Sequence, residues 1–216
     1  DLDLLRTALP LRLCGIFYKE VVLMNTQTAS LERRHKAVLM LCEGAVMIAL
    51  SEILSLISLY RLPQDGSVDL GMLPIFVFCM RWGFAQSFLV SLAHGILQVF
   101  LGNALSWGWQ SILFDYVVAY TVLCVASLFR NLKGGFYLGV TAGCALRFLT
   151  HFLTGVTLWA SDMPETFFGL TMTSPALYSL LYNGSYMVID WIIILVVGYL
   201  MSLTPMKKYL RPYGKA

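Results

Sequence analysis

Arg147, His151, Gly155 and Trp159 recur every four residues in an apolar stretch, which lines them along one slowly winding helical face. On that face the glycine leaves a gap between an imidazole and an indole, so a flat ligand can approach the backbone. The plainer reading of the same spacing is that Gly155 permits close helix packing, His151 bonds another helix, and Trp159 joins the interfacial aromatic belt. Asp115-Tyr116 follows Trp107-Gly108-Trp109. A carboxylate beside an aromatic face suits an organic cation, through charge pairing and cation–π attraction; a pair between Asp115 and Arg147 is the competing reading. Asn183, Tyr186 and Asp190 share one helical face and Tyr178 lies off it. Either Gly184 loosens that helix so that Tyr178 and Asn183 both turn inward, or Tyr178, Tyr182 and Tyr186 form an aromatic packing stripe.

These groups need explaining because of what surrounds them. Of the 216 residues, 58% are hydrophobic and 12% charged, and the mean hydropathy is +0.74. Soluble domains carry about a quarter charged residues, so lipid is the expected solvent. Ionisable residues inside spans cost several kcal/mol if they face lipid, which makes Glu43, Glu52, Asp115, Arg147, His151 and Asp190 candidates for a cavity or for mutual pairing. No basic run with interleaved aromatics points to nucleic acid. The five cysteines (Cys14, Cys42, Cys79, Cys124 and Cys144) show no CxxC or Cys/His ligand spacing, so neither a disulfide nor a metal site is expected. Nothing in the pattern calls for a cofactor or for catalytic residues.

The expected fold class is an all-α integral membrane protein of six transmembrane helices with both termini cytoplasmic. Apolar runs place the spans at Ala37–Leu59, Leu70–Met80, Gly83–Leu101, Trp109–Phe129, Gly134–Thr157 and Pro175–Leu203. The second has an apolar core of only 11 residues, which suggests a short, tilted or bundle-buried helix. Thr173-Ser174-Pro175 reads as a helix start, a capping hydroxyl followed by proline in the first turn. With the amino terminus inside, Arg33, Arg34, Lys36, Arg81, Arg130, Lys133, Lys207, Lys208, Arg211 and Lys215 all fall on the cytoplasmic side. Asp65, Asp69, Asp162 and Glu165 fall outside, with Arg61 the only base near them, as the positive-inside rule asks. Three regions follow: residues 1–36 as an amino-terminal extension and basic segment, 37–205 as the membrane domain, and 206–216 as a basic tail. Residues 1–23, upstream of Met24, read as an extension or a peripheral segment. No GxxxxGKS or GxxxxGKT sequence is present to cradle ATP phosphates, nor is there an obvious pair of similar halves. Uphill movement of a solute would then draw on a partner's energy.

Taken in order, the pair Ala45-xxx-Ala49, the loop Gln64-Asp-Gly-Ser-Val-Asp-Leu-Gly-Met-Leu-Pro74, Phe114-Asp-Tyr-Val-Val-Ala119, Arg147-Phe-Leu-Thr-His151-xxx-Gly155-xxx-Trp159 and Tyr178-xxxx-Asn183-Gly184 resemble the thiamine-binding S components of energy-coupling-factor (ECF) transporters. The resemblance covers roughly residues 37 to 205 and implies a bacterial cell-membrane protein that binds thiamine near the outer face, under the loop between the first two spans. It implies as partners a membrane coupling protein and two cytoplasmic ATPase subunits, with no enzymatic activity in this chain. It carries ligand contacts onto Asp69, Asp115, Tyr116, His151, Gly155, Trp159, Tyr178 and Asn183, and coupler docking onto Ala45 and Ala49. In such a site Asp115 offsets the thiazolium, Trp159 with Tyr116 or Tyr178 stacks, and His151 and Asn183 bond the pyrimidine edge. Alternatives are an S component for another vitamin or a thiamine precursor, a secondary carrier coupled through Arg147, Asp115 and Asp190, and an intramembrane hydrolase using Ser185 and His151.

Overall fold

A computed structural model describes residues 30–62, 66–101 and 108–214. Asp65 lies outside the described residues, as do most of the amino-terminal segment and Cys14. The chain divides into two units, residues 1–43 and 44–216. In the first, the described residues are helical from Ser30 and carry Arg33, Arg34 and Lys36 on exposed positions. The basic cluster therefore sits on the helix itself, upstream of the Ala37 start expected from hydropathy.

Five helices are long and apolar enough to cross a bilayer: α1 (Ser30–Leu56), α3 (Phe84–Leu101), α4 (Trp109–Phe129), α5 (Gly135–Thr157) and α6 (Pro175–Ser202). The expected second span is a ten-residue helix, α2 (Met72–Arg81), buried at every position from Met72 to Met80. At about 1.5 Å per residue it rises about 15 Å, half of a hydrocarbon core of about 30 Å. It has no lipid-facing stripe because it is the core of the second unit. Ile75, Phe76, Phe78 and Met80 are fully buried, and α2 packs with Leu123 and Ala126 of α4 and Val140 and Cys144 of α5. Gly143 makes room for this, since a Cβ there would stand 2.6 Å from the Phe76 ring.

Helix α4 is irregular, with a π-helical stretch over Ile112–Val118 and a 3-10 stretch over Val122–Phe129. Such π turns tend to mark functional positions, and this one carries Asp115 and Tyr116. The α6 start is built as the sequence predicts: Leu177 N–H donates to Ser174 Oγ at 3.2 Å, with Pro175 in the first turn. Two short hairpins complete the same end. Strands β1 (Tyr60–Arg61) and β2 (Ser67–Val68) pair antiparallel before α2. Between α5 and α6, β3 (Thr166–Phe167) pairs with β4 (Leu170–Thr171), across a turn in which Phe168 and Gly169 both have positive φ.

Candidate ligand-binding site

A cavity of about 400 Å³ lies within the second unit, walled by the β2–α2 segment, α4, α5 and α6. That volume falls in the roughly 300–1,000 Å³ range of small-molecule pockets. All eight residues singled out as ligand contacts (Asp69, Asp115, Tyr116, His151, Gly155, Trp159, Tyr178 and Asn183) line it. Ala45 and Ala49 do not; they stand exposed on α1.

Asp115 is fixed from all sides. Thr154 Oγ1 donates to its Oδ1 at 2.6 Å, and Ser111 Oγ and the Trp159 indole N–H donate to its Oδ2 at 3.0 and 3.1 Å. His151 Nδ1 lies 3.3 Å from Oδ1. The other imidazole nitrogen, Nε2, is buried with no protein partner among the described residues. Asp115 thus pairs with the histidine one turn beyond Arg147, and the Asp115–Arg147 pair weighed above is not formed. The Arg147 guanidinium instead lies 4.0 Å over the Tyr120 ring.

Helix α6 runs unbroken through Gly184, and a Cβ there would touch nothing within 4 Å. The loosening weighed for this helix is therefore not found, yet Tyr178 and Asn183 both line the cavity from a regular helix. Tyr178, Tyr182 and Tyr186 do form a stripe, with ring centres 5.6 and 5.9 Å apart, and all three also line the cavity. Asn183 works chiefly as a tie. Its Nδ2 donates to the Ser179 carbonyl at 3.0 Å, and its Oδ1 accepts from Tyr186 at 3.0 Å. Gly155 faces Ser179, whose Oγ and Cβ would both collide with an added Cβ. The close-packing reading of Gly155 therefore holds, alongside its place in the wall.

The first hairpin covers this wall from above the chain's own α6. Gly66 N–H donates to Tyr182 Oη, and Asp69 N–H donates to Asp190 Oδ1, each at 3.0 Å. Asp69 in turn accepts from Ser67 Oγ at 2.7 Å and Gly71 N–H at 2.8 Å. Asp190, expected on one face with Asn183 and Tyr186, is thus the anchor of the loop.

Residues not foreseen as contacts complete the lining, among them Ser111, Tyr120, Thr154 and Ser179. Thr154 and Ser179 are common small residues in membrane helices, and neither carries a sequence signal strong enough to select it. A second polar cluster adjoins the site between α1 and α3. His94 Nδ1 lies 2.8 Å from Glu52 Oε1, Gln98 Nε2 donates to Glu52 Oε2 at 3.0 Å, and Ser51 Oγ bonds the Gly71 carbonyl. The His94 ring meets Tyr120 edge-on at 4.7 Å. The signal was present, since Ser87, Ser91, His94 and Gln98 fall at helical spacing along α3. Ser185 donates to the Tyr182 carbonyl at 2.7 Å and does not line the cavity, so it forms no nucleophile–base pair with His151. No cluster of three or more potential metal ligands occurs among the described residues.

Four carboxylates line the cavity (Asp69, Asp115, Asp162 and Asp190) against a single arginine, within walls rich in tyrosine and tryptophan. Acids and aromatic faces together favour a flat organic cation.

Comparisons that span most of the chain identify its relatives. The family model described as "Thiamine transporter protein (Thia_YuaJ)" matches residues 41–210. The thiamine transporter ThiT of Bacillus subtilis is 32% identical over 184 residues, covering 78% of this chain and 93% of its own. ThiT of Lacticaseibacillus paracasei is 26% identical over 191 residues, covering 80% and 92%. The solved structure of ThiT from Listeria monocytogenes superposes with a TM-score of 0.70 at 22% identity, over 82% of this chain and 100% of that one; at that identity it speaks for the fold. With five helices able to span and bacterial transporters as relatives, this is a multi-pass protein of the bacterial plasma membrane. The acidic, aromatic cavity thus sits in a chain that belongs to the thiamine transporter family.

Proposed function

We propose that the chain is the substrate-specificity subunit of an ECF transporter, taking thiamine from the outer side of the membrane. The observation that carries this reading is the cavity's excess of carboxylates within aromatic walls. Thiamine joins a permanently cationic thiazolium to a flat aminopyrimidine. Asp115 offsets the cation, while Trp159, Tyr116 and Tyr178 offer ring faces for stacking. His151 is held by Asp115 through Nδ1, which leaves Nε2 to bond the pyrimidine edge. Asp69 acts through the hairpin that closes the site, and Asn183 shapes the wall through Ser179 and Tyr186. Gly155 keeps α5 close to α6.

In this reading α2 completes a six-segment bundle with both termini cytoplasmic, which places the basic ends of α4, α5 and α6 inside and the acidic cavity end outside. Delivery relies on a membrane coupling protein, docked over Ala45 and Ala49, and on two cytoplasmic ATPase subunits. The exposure of both alanines on α1 leaves a small-residue surface for close helix approach.

The test is a tryptophan-fluorescence titration of the detergent-purified chain with thiamine, with biotin as control. Saturable quenching by thiamine that disappears in Trp159→Ala is expected. A folded wild-type chain that gives no response to thiamine overturns the ligand. Uptake in cells should require co-expressed coupling and ATPase subunits; uptake by the chain alone that collapses with a protonophore would assign a secondary carrier.

A further inference from the structure

At the end of the second unit opposite the hairpins, the chain gathers six cations: Arg81, Arg130, Lys133, Lys207, Lys208 and Arg211. The carboxylates among the described residues of that unit are Glu52, Asp69, Asp115, Asp162, Glu165 and Asp190. Four of these line the ligand cavity, Glu52 pairs with His94, and Glu165 precedes the β3–β4 hairpin. None of these six lines the groove described next.

Four of the cations converge on one groove of about 450 Å³: Arg130 and Lys133 from the α4–α5 turn, Lys207 and Arg211 from the segment after α6. That segment is pinned in place. Its 3-10 turn (Pro205–Leu210) is followed by Tyr213, whose N–H donates to the Arg81 carbonyl at 3.0 Å. The Tyr213 ring stacks on Trp82 with centres 5.1 Å apart, and the Arg81 guanidinium lies 4.9 Å from the centre of the Tyr209 ring. Aromatic packing therefore holds Lys207 and Arg211 beside Arg130 and Lys133. The orienting rule for membrane proteins asks only that basic residues lie near the inner ends of helices. It does not ask that they be clamped around a common space, where like charges repel.

The groove floor also suits an anion. Gly134 has a φ of 71°, and a Cβ there would meet nothing within 4 Å, so bare backbone faces the groove at the start of the 23-residue helix α5. Positive potential from the helix start adds to that of the side chains. The surroundings then decide the source of the anion. Leu132 of the groove wall is exposed, and so are Leu203 and Met206, chain neighbours of the groove-lining Ser202 and Lys207, at the ends of membrane helices where acyl chains run.

We propose that this groove is a phosphate site for the headgroup of an anionic phospholipid, held by Arg130, Lys133, Lys207 and Arg211 with the acyl chains along the neighbouring leucines. It is separate from the ligand cavity and does not depend on the identity of the transported solute.

Native mass spectrometry of the full chain, released from detergent supplemented with phosphatidylglycerol or with phosphatidylcholine of the same acyl chains, tests it. The expected result is a retained phosphatidylglycerol adduct with little phosphatidylcholine. Lys133→Gln/Lys207→Gln/Arg211→Gln should weaken retention by about tenfold or more, since each basic residue near an anionic headgroup contributes measurably. The exposed single variant Lys207→Gln, which is not expected to disturb folding, should lose severalfold. Equal retention of both lipids, or equal retention by wild type and a folded variant, overturns the proposal. Binding of inorganic phosphate that displaces the lipid confirms the phosphate site. Inorganic phosphate bound without any preference for phosphatidylglycerol would reassign the source to a soluble phosphate and overturn the lipid.

Discussion

Arg147 and Tyr120 form a stacked pair in the cavity wall, the guanidinium carbon 4.0 Å from the ring centre. The arrangement gives a half-buried cation a partner that carries no charge of its own in place of one of the neighbouring carboxylates. Tyr120→Phe keeps the ring face and should leave thermal stability and thiamine affinity nearly unchanged. Tyr120→Leu removes it and should cost about 1–2 kcal/mol of stability, read as a lower unfolding midpoint in detergent. Equal effects from the two variants would show that the hydroxyl, not the ring, matters.

Asp115 accepts from three donors and faces a fourth, so its position depends little on the ligand. Asp115→Asn removes the charge and turns an amide N–H₂ toward groups that themselves donate. Thiamine affinity should fall by about 1–3 kcal/mol, roughly five- to 150-fold, in isothermal titration. An uncharged analogue lacking the thiazolium should lose much less. Unchanged thiamine affinity in a folded Asp115→Asn protein would remove this acid from the site.

Two glycines on adjacent helices should respond in opposite ways. Gly155→Ala drives a methyl into Ser179, and the overpacking penalty of about 1–3 kcal/mol exceeds the roughly 1 kcal/mol that alanine gains in a helix. The unfolding midpoint should drop, and Gly155→Ala/Ser179→Gly should recover part of it. Gly184→Ala meets open space and should be neutral or stabilising by up to about 1 kcal/mol.

The Glu52–His94 pair is a distinct test of the bundle. His94→Leu leaves a largely buried carboxylate with only Gln98 as donor. Breaking a buried pair costs about 3–5 kcal/mol, and the residual exposure of Glu52 puts the expected loss near the lower figure. Glu52→Gln/His94→Leu removes the stranded charge and should be milder than His94→Leu. If the single and double variants unfold alike, the pair contributes no net attraction.

Much of this was legible in the residues themselves. The ends of α3, α4, α5 and α6 fall within a residue of where apolar runs and turn residues place them, because lipid leaves the backbone few alternatives to a helix. The face of Arg147, His151, Gly155 and Trp159 was legible for the same reason: four-residue spacing on a helix has one geometric meaning. What each residue does on that face was not. Whether Asp115 takes Arg147 or His151 depends on the rotation of α4 against α5, and a π turn alters that rotation without a residue pattern that announces it. Gly155 could be read as packing or as site, and Asn183 as an amide in need of partners; both turn out to serve the wall through Ser179. Of the α1–α3 cluster Glu52 stood out as an ionisable group in a span, whereas its partners His94 and Gln98, in a stripe of serines, did not.

The shortness of α2 reaches back to how the protein is made. A segment of ten apolar residues offers a translocating machinery too little hydrophobic length to be released into lipid on its own. Its insertion has to follow from its neighbours, α1 before it and α3 after it, closing around it. The hairpin that lids the cavity is tied to the start of α2, so the site takes shape only once that late packing is complete. Substitutions on α2 such as Phe76→Ala or Met80→Ala, far from any ligand, would then show first as poor membrane yield rather than as weak binding in the protein that survives.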